Sequence, residues 1–169
     1  MAAPTEPGAA TERFEVSRVV AAPPAEVFAL LTDPQGHVQI DSSGMLMSAD
    51  GDRVRAAGDT FVVHMDREAL ADRPMGRYDV TVTITRLEPD ALVEWTVVGT
   101  IRPPMRHLYG YRLEPVAGGT RVTSYYDWSE IEERYRPAGV FPVLPESTLR
   151  ATLGILARTL EAPPRAPTG

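Results

Sequence analysis

The sequence predicts an α+β domain in which a curved antiparallel sheet wraps around a long C-terminal helix, with two short helices after the first strand. Two observations carry this prediction: apolar residues recur at helical spacing near both ends of the chain, and they alternate with polar residues through the middle. We expect one domain over residues 12–162, because 169 residues suffice for one sizeable core. Residues 1–11 and 163–169 are rich in Pro, Ala, Thr and Gly and are expected to be disordered tails.

The first strand and the two helices occupy the first quarter of the chain. Apolar side chains alternate with polar ones over 13–21, which predicts a strand with one buried face. Pro23 and Pro24 favour a helix start at this point, because proline fixes φ at a helical value. Asp33 can cap a second helix with Pro34 at its first position.

The middle of the chain has the period of strands. Phe61, Val63 and Met65 share one face of a segment, and 77–87 is the cleanest alternating stretch, rich in β-branched residues. Prolines and glycines bound the later strands, which are predicted at 92–99, 106–114 and 122–128. Because short turns join these segments, neighbouring strands are expected to pair antiparallel.

The C-terminal helix is predicted over 145–161, where leucines recur at helical spacing: Leu149, Leu153, Leu156 and Leu160. The preceding segment, 129–144, contains two prolines and a glycine and is predicted to be an ordered loop over the mouth of a cavity.

Charge and composition exclude several classes of protein. The net charge is −6 and the pI is about 5.1, so the sequence does not predict a positively charged surface for binding nucleic acid. Membrane insertion is not expected, because no apolar run of roughly 18 residues occurs. The chain has no cysteine and its first residues do not resemble a secretory signal, so we expect a cytoplasmic protein.

The histidines do not predict a metal site. His37, His64 and His107 fall on separate predicted elements, and neither a ligand pair nor a cofactor-binding fingerprint accompanies them, so no metal and no cofactor is predicted. Asp33, His37 and Asp41 recur every four residues and could share a face for acid–base work. The favoured interpretation is that both aspartates serve the helix ends and that His37 is exposed.

Aromatic residues with polar tips mark the predicted ligand site. Tyr109, Tyr111, Tyr126 and Trp128 lie on neighbouring strands, where they either line a cavity or pack as ordinary core. In the first case the ligand lies between this face and the leucines of the terminal helix. The complete predicted set is Phe61, Val63, Met65, Tyr78, Val80, Trp95, Tyr109, Tyr111, Tyr126, Trp128, Leu149, Leu153 and Leu156.

Short segments resemble those of the START/Bet v 1-like (SRPBCC) superfamily, in its polyketide cyclase/dehydrase and lipid-transport group. AAPPAEVF at 21–28 with LLTDP at 30–34 resembles the signature of the family's first helix. Three further segments are similar to an actinobacterial branch: HVQIDSSG at 37–44, GDTF at 58–61, and GTRVT at 119–123 running into YDWS at 126–129. The resemblance covers about 13–161 and implies a helix-grip fold with an elongated cavity between the sheet and the terminal helix.

The function expected from these observations is non-catalytic binding, transport or sensing of a small hydrophobic molecule, lipid-like or polyketide-like, by a monomer or homodimer. One alternative is a lyase-type cyclase or dehydrase, with His64, Tyr78 and Asp127 as candidate acid–base residues. Another is a protein-binding regulator that uses the apolar residues of the 140–144 loop.

Overall fold

A computed structural model describes residues 11–161 of the chain. Residues 1–10 and 162–169, which include nearly all of the two predicted tails, lie outside the described range. The elements in chain order are β1 (Arg13–Val20), α1 (Pro24–Leu31), α2 (Pro34–Ile40), β2 (Leu46–Asp50), β3 (Thr60–Asp66), β4 (Arg77–Glu88), β5 (Leu92–Val98), β6 (Leu108–Val116), β7 (Gly119–Asp127) and α3 (Glu146–Glu161). Short 3₁₀ turns occur at Glu68–Leu70 and Glu133–Ala138.

The seven strands form one curved, open sheet in the order β1-β7-β6-β5-β4-β3-β2, in which every neighbouring pair is antiparallel. Helix α3 packs against β1 and β7 and also contacts α2. We call the sheet face that carries α3 the inner face and the opposite one the outer face. The predicted helix-grip architecture is therefore confirmed, including the two short helices after the first strand.

Local chemistry explains the tight pair of short helices. Pro24 opens α1, and the Asp33 carboxylate accepts a hydrogen bond from the Gln35 N–H at 3.0 Å, which caps α2. A Cβ atom on Gly36 would lie 1.9 Å from the carbonyl oxygen of Leu30, so only glycine fits where α2 crosses the end of α1.

Strand β2 is the element that the sequence analysis did not predict. Its pairing with β3 shifts register between Leu46 and Ser48, and this bulge breaks the alternation of apolar and polar residues. Only Ala49 is buried in this strand, and an alanine among polar neighbours is a weak signal of a buried face.

The leucines of α3 belong to the packed core. Leu149, Leu153 and Leu156 are 6%, 2% and 0% exposed, and they belong to the same buried cluster as Val16 and Val122 of the two strands beneath them. The helix therefore fills the inner face at the β1–β7 side of the sheet. The opposite part of the inner face, on β3, β4 and β5, is left to other segments.

Candidate functional site

A cavity of about 400 Å³ lies over the inner face of β3, β4 and β5. The other sides are formed by the end of α2 and the connection to β2, and by three loops: 67–76, 99–107 and 140–144. Val140, Val143 and Leu144 line it, so the 129–144 segment reaches the cavity as the sequence predicted. Met75 and Ile101 are large apolar residues that line the cavity and remain about half exposed, which marks its open side.

Strand alternation supplies most of the wall. Every second residue of β3, β4 and β5 points to the inner face, and register places Val63 beside Val80, Met65 beside Tyr78, and Trp95 beside Tyr109 of β6. The strand residues that line the cavity on this face are Leu46, Val63, Met65, Tyr78, Val80, Val82, Trp95, Val97 and Tyr109. The wall is therefore mainly apolar, with aromatic rings at one end.

The aromatic end is built by ring stacking. The rings of Trp95 and Tyr109 lie 5.9 Å apart at an interplanar angle of 15°, and Tyr109 stacks on Tyr126 at 4.4 Å and 12°. His37 meets the Trp95 ring edge-on at 4.9 Å. Flat rings held in this way present a rigid surface on which another flat group can stack.

His37 brings a neutral imidazole to the cavity. The residue is only 8% exposed, so the expectation that it is an exposed helix position is wrong. Its Nε2 lies 2.8 Å from the Leu31 carbonyl oxygen, which can only accept, so Nε2 carries the hydrogen and Nδ1 is left as an acceptor. Burial lowers the pKa of His37, and the ring is neutral near pH 7.

The aspartates on either side of His37 have structural partners. Asp33 caps α2, and Asp41 accepts hydrogen bonds from Ser43 N–H, the Ser43 hydroxyl and the Leu46 N–H. Both carboxylates therefore organise backbone turns, as the favoured interpretation of the sequence held.

His107 is a second neutral imidazole in the lining, and the sequence analysis did not select it. Its Nδ1 lies 2.9 Å from the hydroxyl of Tyr126, and desolvation lowers the pKa of His107 to about 4. Because Nδ1 is occupied by the tyrosine, Nε2 is the ring atom left for a ligand. A histidine just after a proline-rich break carries no sequence signal of burial.

Arg67 stands at the open side and was also missed by the sequence analysis. It is 7% exposed, and its Nε and Nη2 donate to Asp72 at 2.9 and 2.7 Å. It directly follows the last residue of β3, at a position where neither strand alternation nor helical spacing predicts which side chain is buried.

Seven predicted ligand residues do not line the cavity: Phe61, Tyr111, Tyr126, Trp128, Leu149, Leu153 and Leu156. All are buried. Helix α3 rests directly on β1 and β7 and fills the space in which the sequence analysis placed the ligand, and Phe61 of β3 packs against His37 of α2. The space between the aromatic face and α3 is therefore occupied by packed side chains, and the cavity lies on the β3–β5 side. Six predicted residues do line the cavity: Val63, Met65, Tyr78, Val80, Trp95 and Tyr109.

Two of the three predicted acid–base candidates lie on the outer face. His64 alternates with Val63 and Met65, so it points away from the cavity and lies 2.7 Å from both Asp50 and Asp79. Asp127 accepts from Arg13 at 2.8 Å on the same face. Of these candidates only Tyr78 lines the cavity.

No set of three His, Asp or Glu residues between positions 11 and 161 is placed to hold a metal ion. In the same part of the chain, no helix is both long and apolar enough to cross a membrane.

The open sheet, the helix on its inner face and the largely apolar cavity beside that helix define a protein of the helix-grip class. The chain belongs to the family described as polyketide cyclase/dehydrase and lipid transport, whose model matches residues 11–161. The resemblance seen in the sequence is thereby confirmed.

Relatives place the chain near actinobacterial proteins. It is 32% identical over 120 residues to the uncharacterized protein Rv0088 of Mycobacterium tuberculosis, a match that covers 69% of this chain and 47% of the relative. The chain thus spans about half the length of that relative.

Solved structures share the fold at low sequence identity. Protein CV1439 from Chromobacterium violaceum is 15% identical with a TM-score of 0.65, over 90% of this chain and 99% of the other. The Aha1 dimer from Colwellia psychrerythraea is 18% identical with a TM-score of 0.58, over 89% and 96%. At these identities the likeness concerns the fold alone.

Proposed function

We propose that this protein binds a small hydrophobic molecule in the cavity over β3, β4 and β5, as a carrier or sensor. The observation that supports this most is a space of about 400 Å³ with a mainly apolar wall. Protein interiors are close-packed, and a hole of this size lies in the range of small-molecule sites. Membership of a family whose description includes lipid transport agrees with the proposal.

The lining also favours a particular shape of ligand. The stacked rings of Trp95 and Tyr109 favour a flat ring system at the closed end of the cavity. His37 and His107 are neutral and buried, so each offers one hydrogen bond to an uncharged polar group without the cost of burying a charge. A lipid-like or polyketide-like ligand with one ring and few polar atoms fits this set.

A cyclase or dehydrase is the second candidate, and the pairing of His107 with Tyr126 favours it. Neutral imidazole is a competent general base, and the tyrosine hydroxyl at 2.9 Å orients its ring. Tyr78, the predicted candidate that lines the cavity, would be a second proton donor or acceptor. A protein-binding role for the 140–144 loop loses its basis, because three apolar residues of that loop face the cavity.

Two paired substitutions test the binding site. Val80→Trp fills the cavity from the inner face of β4, whereas Thr81→Trp places the same ring on the outer face one residue later. With N-phenyl-1-naphthylamine as a fluorescent apolar probe, we expect Val80→Trp to weaken binding at least about tenfold and Thr81→Trp to leave it unchanged. Because the cavity has room, Val80→Trp should melt within a few degrees of the wild type, which corresponds to about 1 kcal/mol.

Equal loss of binding in both variants would mean that the probe senses general instability. Unchanged binding by a folded Val80→Trp would place the ligand elsewhere.

A further inference from the structure

Arg67 is a buried cation at the rim of an apolar cavity. Its side chain is 9% exposed, and the residue lines the cavity beside Met45 and Tyr78. A guanidinium taken out of water needs a partner for each of its donors, because an unsatisfied buried donor costs free energy.

The partners of Arg67 leave one nitrogen poorly satisfied. Nε and Nη2 donate to the two carboxylate oxygens of Asp72, whereas Nη1 donates to the thioether sulfur of Met45 at 3.6 Å. The pKa of Arg67 is raised mainly by Asp72, with a smaller contribution from the Tyr78 hydroxyl beside the guanidinium. A thioether is a weak acceptor, and Nη1 has two hydrogens. Nη1 is therefore a buried donor whose one hydrogen-bond partner is a weak acceptor.

Arg73 adds a second cation to the same rim. It lines the cavity, it is exposed, and no ion pair between residues 11 and 161 includes it. Its charge, added to the stronger effect of Arg67, holds the pKa of Asp72 below the ordinary value. The rim thus has two guanidinium groups around one carboxylate.

The acid in the lining does not supply the missing acceptor. The Asp41 oxygens already accept from the Ser43 N–H, the Ser43 hydroxyl and the Leu46 N–H. None of these hydrogen bonds comes from Arg67 or Arg73, so the Asp41 carboxylate does not occupy the guanidinium donors at the rim.

We infer that the ligand is an amphipathic carboxylic acid, with its carboxylate on Arg67 Nη1 and Arg73 at the rim and its apolar body along β3, β4 and β5. This rests on the proposed function, since the same cavity holds the apolar body. A ligand carboxylate at this position would complete a series in which negative and positive charges alternate: Asp72, Arg67, the ligand and Arg73. A single carboxylate matches one free nitrogen and one further cation, whereas a phosphate has more charge and more oxygens to satisfy.

The test compares dansyl-aminohexanoic acid with its methyl ester, which has the same body without the charge. We expect the wild type to bind the acid about tenfold more tightly than the ester, the ratio that one charge-assisted hydrogen bond typically gives. Arg67→Met and Arg73→Gln should each reduce this preference severalfold and leave ester binding nearly unchanged. Arg77→Gln is the matched control, because that arginine is 87% exposed, pairs with Asp66 and does not line the cavity.

The outcomes separate this inference from the proposed function. Equal wild-type affinity for acid and ester, or a preference that survives both substitutions, overturns the carboxylate site and leaves the apolar cavity standing. If the wild type binds neither probe, both proposals are wrong. Should Arg67→Met fail to fold, Arg73→Gln decides alone, because an exposed side chain can be replaced without disturbing the core.

Discussion

His64 on the outer face has a protonation state that its two neighbours determine. The Asp50 and Asp79 carboxylates each lie 2.7 Å from one ring nitrogen, and both can only accept. A neutral imidazole donates to one of them, whereas the protonated ring donates to both. The hydrogen bond to Asp50, followed by that to Asp79, accordingly raises the pKa of His64 above 6.5.

This shift predicts how stability depends on pH. A raised pKa in the folded state stabilises the protein fully below about pH 6.5, and the contribution is lost as the pH rises through the folded value. The pKa values of His37 and His107 are lowered in the folded state, so these two residues reduce stability at acidic pH, where the unfolded chain binds their protons more readily. Urea unfolding should show a stability that declines above about pH 6.5 in the wild type and less so in His64→Gln. A variant with the same decline would show that His64 does not cause it.

The polar residues of the cavity show what periodicity leaves undetermined at the level of single residues. Val63, Met65, Val80 and Trp95 were predicted because strand alternation assigns a face directly. His107 and Arg67 were not, since both lie just outside strands, where alternation assigns no face.

At the level of elements, the spacing of apolar residues identified the buried face of a helix or strand. It did not identify the element against which that face packs. The leucine stripe of α3 was correctly predicted to be apolar, yet the same stripe is compatible with lining a cavity or with packing on β1 and β7. The choice depends on where the helix lies across the sheet, which is set by its contacts with β1, β7 and α2.

The glycines of two helices give an element-level prediction. Gly36 in α2 has no room for a Cβ atom beside the Leu30 carbonyl oxygen, whereas a Cβ on Gly154 in α3 would meet only the end of Arg18 at 3.9 Å. We expect Gly36→Ala to lower the free energy of unfolding by about 1–3 kcal/mol, because the added methyl group overpacks the contact between the two helices. Gly154→Ala should raise it by up to roughly 1 kcal/mol, through helix propensity. Chemical denaturation of the two variants checks both signs, and a neutral Gly36→Ala would contradict the close crossing of α1 and α2.

For the whole molecule, the proposed function depends on an asymmetry across the inner face of one sheet. Helix α3 covers the β1–β7 side with a packed core, and the other side has the end of α2 and loops above it, which leaves about 400 Å³. The sequence was sufficient to predict the architecture, because the elements other than β2 have a clear period. The position of the cavity could not be predicted, because it depends on how far one helix extends across seven strands.

The measurement that tests this account most directly is methyl NMR of the protein saturated with N-phenyl-1-naphthylamine. Intermolecular contacts between the probe and methyl groups separate the two sides of the inner face, since valines line one and leucines of α3 fill the other. The account predicts contacts to Val63, Val80 and Val97 and none to Leu149, Leu153 or Leu156. Contacts to the α3 leucines without the valines would contradict it and return the ligand to the space between α3 and the sheet.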